Sequence, residues 1–237
     1  MPKQQYELVN TEAHKHLKIN TQQVNVVENK VNACVVVAGE LSTLVHEYPI
    51  FISKSQQTQQ YQLTAILGLH SGENLYLDGE KWRAKFLPLD ILRKPFHAFI
   101  PDPSKPTKGS IAIELNSAMV NENDGQSLFE DDGNATDYYK RIETTFAQLM
   151  GGSKHSADLL QLAADLELLE QVSLDIDLPN DQKTSLTGLY VFDQEKLTAL
   201  TGEKLEKCHQ SGLLQVSHLV LSSSVHLQKL INWFNEK

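Results

Sequence analysis

Residues 72–96 read GENLYLDGEKWRAKFLPLDILRKPF, and the fold is most legible from this stretch. Leu75-Tyr76-Leu77 has the composition of a short strand, Asp78-Gly79 is a tight-turn signal, and Lys81 to Phe86 returns as the second arm of a hairpin. Leu87-Pro88 breaks the pattern. Asp90 to Lys94 has room for one helical turn, and Pro95-Phe96 leads into a further strand, His97 to Ile100. Strand, turn and proline punctuation so close together describe the corner of an antiparallel sheet.

The same grammar continues on both sides. Upstream, Leu17 and Ile19 alternate around Lys18 as a short strand would. Residues 24–37 alternate and then close on Val35-Val36-Val37, three β-branched residues that favour a buried strand. Glu40 to Tyr48 reads as a short helix with Leu41, Leu44 and Val45 on one face and Pro49 as its stop. Ile50-Phe51-Ile52 and Leu63 to Leu69 are strands separated by a polar, Gln-rich loop at 54–60. Downstream, Pro101, Pro103 and Pro106 predict a stiff loop, and Ser110 to Leu115 is one more strand. Short links between many strands predict a mostly antiparallel sheet or a half-open barrel over residues 1–115.

An acidic, turn-rich connector follows at 116–135, and residues 136–237 read as mainly helical. Thr136 can cap a helix carrying Tyr139, Ile142, Phe146 and Leu149, with Gly151-Gly152 as its end. Ser156 can cap the next, striped by Leu159, Leu162, Ala163, Leu166 and Leu169. LPNDQ at 178–182 predicts a turn, and Thr187 to Phe192 a strand. Asp193 caps a short helix, Gly202 to Gln210 forms another that ends at Gly212, and Ser223 or Ser224 caps the last, with Leu227, Leu230, Ile231 and Phe234 on its inner face. Periodicity does not separate strand from buried helix at 213–221, and strand is the expectation taken. The fold class is therefore α+β, with a C-terminal helical region from which one or two strands can return to the sheet. The whole can be one compact domain.

Composition excludes more than it assigns. A net charge of −9 offers no basic face for a phosphate backbone, so nucleic acid is not an expected partner. Cys34 and Cys208 read as two reduced thiols. The N-terminus has no apolar h-region, and no apolar run reaches the roughly 20 residues of a membrane span, so a soluble, cytoplasmic protein is expected. GxGxxG, GxxxxGK[ST], GxSxG, HExxH and CxxC are all absent. No EF-hand register fits the acidic connector, because the glycine position places Val120 or Leu128 where a carboxylate is required. His14 and His16 share a face if extended, but no acidic or thiol partner lies near in sequence. No metal or cofactor is expected.

Two weaker constellations remain. Glu40, His46 and Glu47 could supply an acid/base pair, since Glu40 and Glu47 fall on one face of a long enough helix. Tyr76, Trp82 and Phe86 with Arg93 and Lys94 would suit an anionic or planar ligand through stacking and charge. Against these stand a solvated helix face and a hairpin packing its aromatics inward.

Taken together, the run of pieces resembles the bacterial SapC family. The matching residues are Gly39-Glu40, His46-Glu47-Tyr48-Pro49-Ile50-Phe51, Ile66-Leu67-Gly68-Leu69, Asn74-Leu75-Tyr76-Leu77, Trp82, Leu87-Pro88 and Arg93-Lys94-Pro95-Phe96. Ser127-Leu128-Phe129 with Asp132-Gly133, then Gly188 to Val191, Leu197 and Gly212-Leu213, continue it in order. The family has a second Arg where Lys94 stands, and Lys keeps the charge without the bidentate fork. The resemblance implies a Gram-negative bacterial protein, named for a proposed link to surface-layer protein transport, and supplies no agreed catalytic residues. The expected function is a non-catalytic accessory protein binding a partner protein or a small ligand around Glu40, His46, Glu47, Tyr76, Trp82, Arg93 and Lys94. The alternatives are an enzyme using Glu40, His46 or Glu47 as acid/base, and a structural or oligomerising module.

Overall fold

The structure, a computed structural model, describes residues 5–101, 109–177 and 183–236. The expected proline loop beyond Pro101 and the turn at 178–182 fall outside these residues. In chain order the strands and helices are β1 (Tyr6–Leu8), α1 (Thr11–His14), β2 (Lys18–Ile19), β3 (Ala33–Val36), α2 (Leu41–Leu44), β4 (Ile50–Lys54), β5 (Tyr61–Ile66), β6 (Leu77–Asp78), β7 (Lys81–Trp82) and α3 (Leu89–Leu92). There follow β8 (Phe96–Phe99), β9 (Ser110–Glu114), β10 (Val120–Asn121), β11 (Gln126–Ser127), α4 (Asp137–Asp165), β12 (Leu169–Asp177), β13 (Lys183–Phe192), α5 (Gln194–Thr198), α6 (Gly202–Ser211), α7 (Leu213–Ser223) and α8 (His226–Asn235). The class is α+β, and the antiparallel sheets stay open where a half-open barrel was the other expectation.

These elements gather into two compact units that interleave along the chain. The first comprises Met1–Lys30, Leu77–Arg83 and Leu89–Met150. Its main sheet has the order β1-β9-β8, antiparallel throughout. Alternation splits that sheet cleanly. Phe96 and Ile113, cross-strand partners with no exposure, enter a core with Leu17, Ile19, Leu128, Tyr139, Ile142 and Phe146. The start of α4 is fixed as the sequence predicts: the Thr136 hydroxyl accepts the Tyr139 N–H at 3.2 Å. The acidic connector is structured, because β10 and β11 both pair with β2. His14 ends a helical turn and is buried beside Glu7, so the extended His14/His16 pair does not form.

The second unit comprises Val31–Tyr76, Ala84–Pro88 and Gly151–Lys237. Its five-stranded sheet has the order β12-β13-β4-β5-β3, so the late strand does return, with Leu189 opposite Ser53 and Tyr190 opposite Ile52. Ile50, Ile52, Leu63 and Val36 are at most 1% exposed. Each such side chain contributes roughly 1.5–3 kcal/mol through burial.

Four local expectations are corrected. α4 runs through Gly151-Gly152 to Asp165, and Ser156 lies inside it, its Oγ accepting the Ala38 N–H at 2.8 Å and donating to the Gly152 carbonyl at 2.7 Å. Gly152 is small for a packing reason: a Cβ there would lie 2.8 Å from the Cβ of Val37. Leu169 opens β12 and so is not the end of a helical stripe. Residues 213–223 form α7, a helix apolar enough to be buried along Leu213, Val216 and Val220, and strand is the wrong assignment there. Neither Ser224 nor Ser223 caps α8, whose N-cap is Val225 with no side-chain cap hydrogen bond. Ser223 has another role. It closes α7 with its Oγ accepting the Ile50 N–H at 3.0 Å.

Candidate functional site

The sequence-predicted residues divide between the units. In the second, Glu40 ends the 3-10 turn Ala38–Glu40, and its Oε2 accepts the Val37 N–H at 2.9 Å. His46 is exposed. Glu47 spends both carboxylate oxygens on backbone, Oε1 accepting from Lys85 N–H at 2.8 Å and Oε2 from Phe86 N–H at 2.9 Å. Its carbonyl accepts the Tyr76 hydroxyl at 2.6 Å and also the Lys229 ammonium. Tyr76 is fully buried, stacked on Tyr48 at 4.5 Å with Trp233 edge-on at 5.1 Å. Burial, then the neighbouring Tyr48, pushes its phenol far above the usual range, so it serves as a fixed donor. Tyr48 donates in turn to the Phe86 carbonyl at 2.6 Å. Glu47 and Tyr48 thus fasten Lys85 and Phe86, and Tyr76 holds Glu47 from behind through its carbonyl.

In the first unit, Trp82 faces Leu77 across the β6–β7 hairpin. The Arg93 guanidinium bonds Asp90 at 2.7 and 2.8 Å and the Phe96 carbonyl at 2.8 Å, and Lys94 donates to the Glu28 carbonyl. Their charge borders a cluster that sequence reasoning missed, on the outer face of the β1-β9-β8 sheet. Tyr6, His97 and Glu114 share that face by register. His97 Nε2 and Glu114 Oε2 stand 3.8 Å apart, and among the described residues neither atom has a hydrogen-bond partner. Burial, then the charge of Glu28, pushes the Glu114 carboxyl up, while burial, then Arg93 and Lys94, pulls the His97 imidazole down.

A built concavity lies on the second unit's sheet. Cross-strand partners share a face, so Ala33, Val35, Thr64, Gln62, Ser53 and Leu189 all look the same way. They line a groove of about 620 Å³ together with Leu69, Ser71 and the segment 185–188. The wall is made by a β-bulge. Val172 pairs with Leu189 and Leu174 with Leu186, two steps on β12 against three on β13, and Gly188 takes φ +73° at the extra residue. The bulge bends β13 so that Ser185, Leu186 and Thr187 line the groove. On its floor Gln62 Nε2 donates to Ser53 Oγ at 3.3 Å, and Ser53 and Thr64 hydroxyls meet at 2.7 Å. Among the described lining residues there is no carboxylate, imidazole or guanidinium. The signal for this site was present in sequence as Gly188 inside a strand and as polar Ser53, Gln62 and Thr64 in otherwise apolar runs. A larger, more open hollow of about 1250 Å³ beside α5 is lined by Glu170, Asp193 and Lys196, but the Asp193 carboxylate caps α5 and Lys196 pairs with it.

Comparison with known proteins adds a family. A family model described as SapC matches residues 9–230. The chain belongs to the SapC family. No curated protein and no solved structure matches it. Among the described residues of this SapC chain, no helix is long and apolar enough to cross a membrane, and no cluster of His, Cys, Asp and Glu could hold a metal ion.

Proposed function

We propose that this SapC-family protein is a non-catalytic binding protein that holds a small ligand in the groove on the second unit's sheet. The observation that carries the reading is the groove's construction: a mixed floor, where the Gln62–Ser53–Thr64 chain lies among Ala33, Val35 and Leu189, walled by a bulged strand. A volume of about 620 Å³ falls in the range of small-molecule sites. The acid/base alternative at Glu40 and Glu47 finds no support in their bonding, because those carboxylates hold backbone amides.

The test is retention of a molecule from a metabolite extract of the source cells, read by native mass spectrometry. The expected result is a non-covalent adduct that is released at unchanged mass and is lost in Ala33→Phe, which fills the groove from a half-buried position. Retention undiminished in that variant, or release at altered mass, would overturn the reading.

A protein partner is the second reading, favoured by Tyr6, Leu8 and Phe99. They are 45%, 47% and 48% exposed on the outer face of the first unit's sheet. Photo-crosslinkers at Leu8 and Phe99 should trap one partner that a crosslinker at exposed Val225 does not, and equal trapping at all three would remove this reading.

A further inference from the structure

We infer that the groove's ligand is uncharged, with an apolar body and a neutral hydrogen-bonding head such as an alcohol or amide. The inference rests on the reading of the groove as a small-molecule site. Lys54 borders the groove, but its side chain leaves by the other face of the sheet. Lys54 pairs with Tyr61, and Tyr190 with Ile52, so all three project opposite to Ser53 and Gln62. The Lys54 ammonium sits over the Tyr61 ring at 4.8 Å and the Tyr190 ring at 5.5 Å, a cation–π seat that keeps it there. Cys34 also lies on the far face, opposite Ala65. Asp175 stands beside the wall, opposite Ser185, and its Oδ1 already accepts the Ser185 hydroxyl at 2.5 Å. The described residues facing the groove therefore offer no uncommitted counter-charge, and a charged ligand would lose hydration without full compensation. Neutral heads are different. Gln62 donates one N–H to Ser53 and, among the described residues, keeps a carbonyl and a second N–H, and the bonded Ser53–Thr64 hydroxyl pair retains one donor hydrogen and acceptor lone pairs. The apolar body would lie against Val35, Leu69, Leu186 and Leu189.

A matched probe series of benzyl alcohol, benzamide, benzoate and benzylamine tests this on the full chain by amide and side-chain NMR titration. Benzyl alcohol and benzamide should shift the Gln62 side-chain NH2 and the Gly188 amide saturably, with benzoate and benzylamine at least about tenfold weaker. Gln62→Leu, at a partly exposed position, should weaken the two neutral probes several-fold and leave the Gly188 shift pattern in place. If benzoate or benzylamine binds at these residues as tightly as the neutral probes, the ligand class is wrong and the groove stands. If no probe moves the groove residues, whether or not other residues respond, the groove reading itself falls.

Discussion

Two adjacent glycines in one helix should respond unequally to the same substitution. Gly151 and Gly152 both lie inside α4, where replacing glycine by alanine ordinarily stabilises by about 1 kcal/mol, because alanine gives up less backbone entropy. At Gly151 a new Cβ meets nothing within 4 Å, so the full gain should appear. At Gly152 the Cβ would sit 2.8 Å from both the Cβ and Cγ2 of Val37 and 3.1 Å from its Cγ1. Carbon pairs prefer roughly 3.5–4.0 Å. The Val37 Cβ is tied to the backbone, and at 3% exposure its methyls have little free space to rotate into. Overpacking of this kind costs about 1–3 kcal/mol, which cancels or exceeds the propensity gain. G151A should therefore be the more stable of the two by about 1–3 kcal/mol in urea unfolding followed by circular dichroism. In a double-mutant cycle with V37A, the G152A penalty should shrink, since two of the three close contacts are to Val37 methyls. Equal stabilisation by G151A and G152A would refute the claim that α4 crosses residue 152 because glycine lets it approach Val37.

Three further outcomes follow from the bonding. Ser223→Ala leaves the buried Ile50 N–H without its acceptor and should cost about 1–3 kcal/mol, with faster exchange of that amide; unchanged exchange would show that another group takes over. Glu47→Ala removes the acceptors of two amides and should cost about 1–2 kcal/mol, Glu47→Gln less, with the Lys85 and Phe86 amides as local reporters in hydrogen exchange. Glu114→Gln should raise Tm at pH 7. Folding holds this carboxyl's proton more tightly than the unfolded chain does, so the wild type loses stability as pH rises from 4.5 through the raised folded value. The gain of the variant should vanish below about pH 4, and a gain that persists there would point to packing in place of charge. His97 runs the other way: its lowered value removes stability as pH falls from 6.5 through the folded one, a loss that His97→Gln should abolish in a pH series of thermal melts.

The sequence by itself determined the class, the family and most of the punctuation. Strand alternation, the caps at Thr136 and Asp193 and the left-handed Gly212 after α6 are local, and each was readable because a turn, a cap or a period acts over a few residues. Only the tertiary structure decided what long-range contact controls. A glycine pair that stops a helix in sequence terms lies inside one, because Gly152 meets a valine 115 residues away. An apolar run at 213–223 became a helix because Ser223 docks on Ile50 and three of its residues find a core. The groove exists because Gly188, one residue in a legible strand, bulges only against its particular partner β12. Whether Lys54 charges that groove or leaves it neutral depends on which side of β4 it takes, and register alone fixes that.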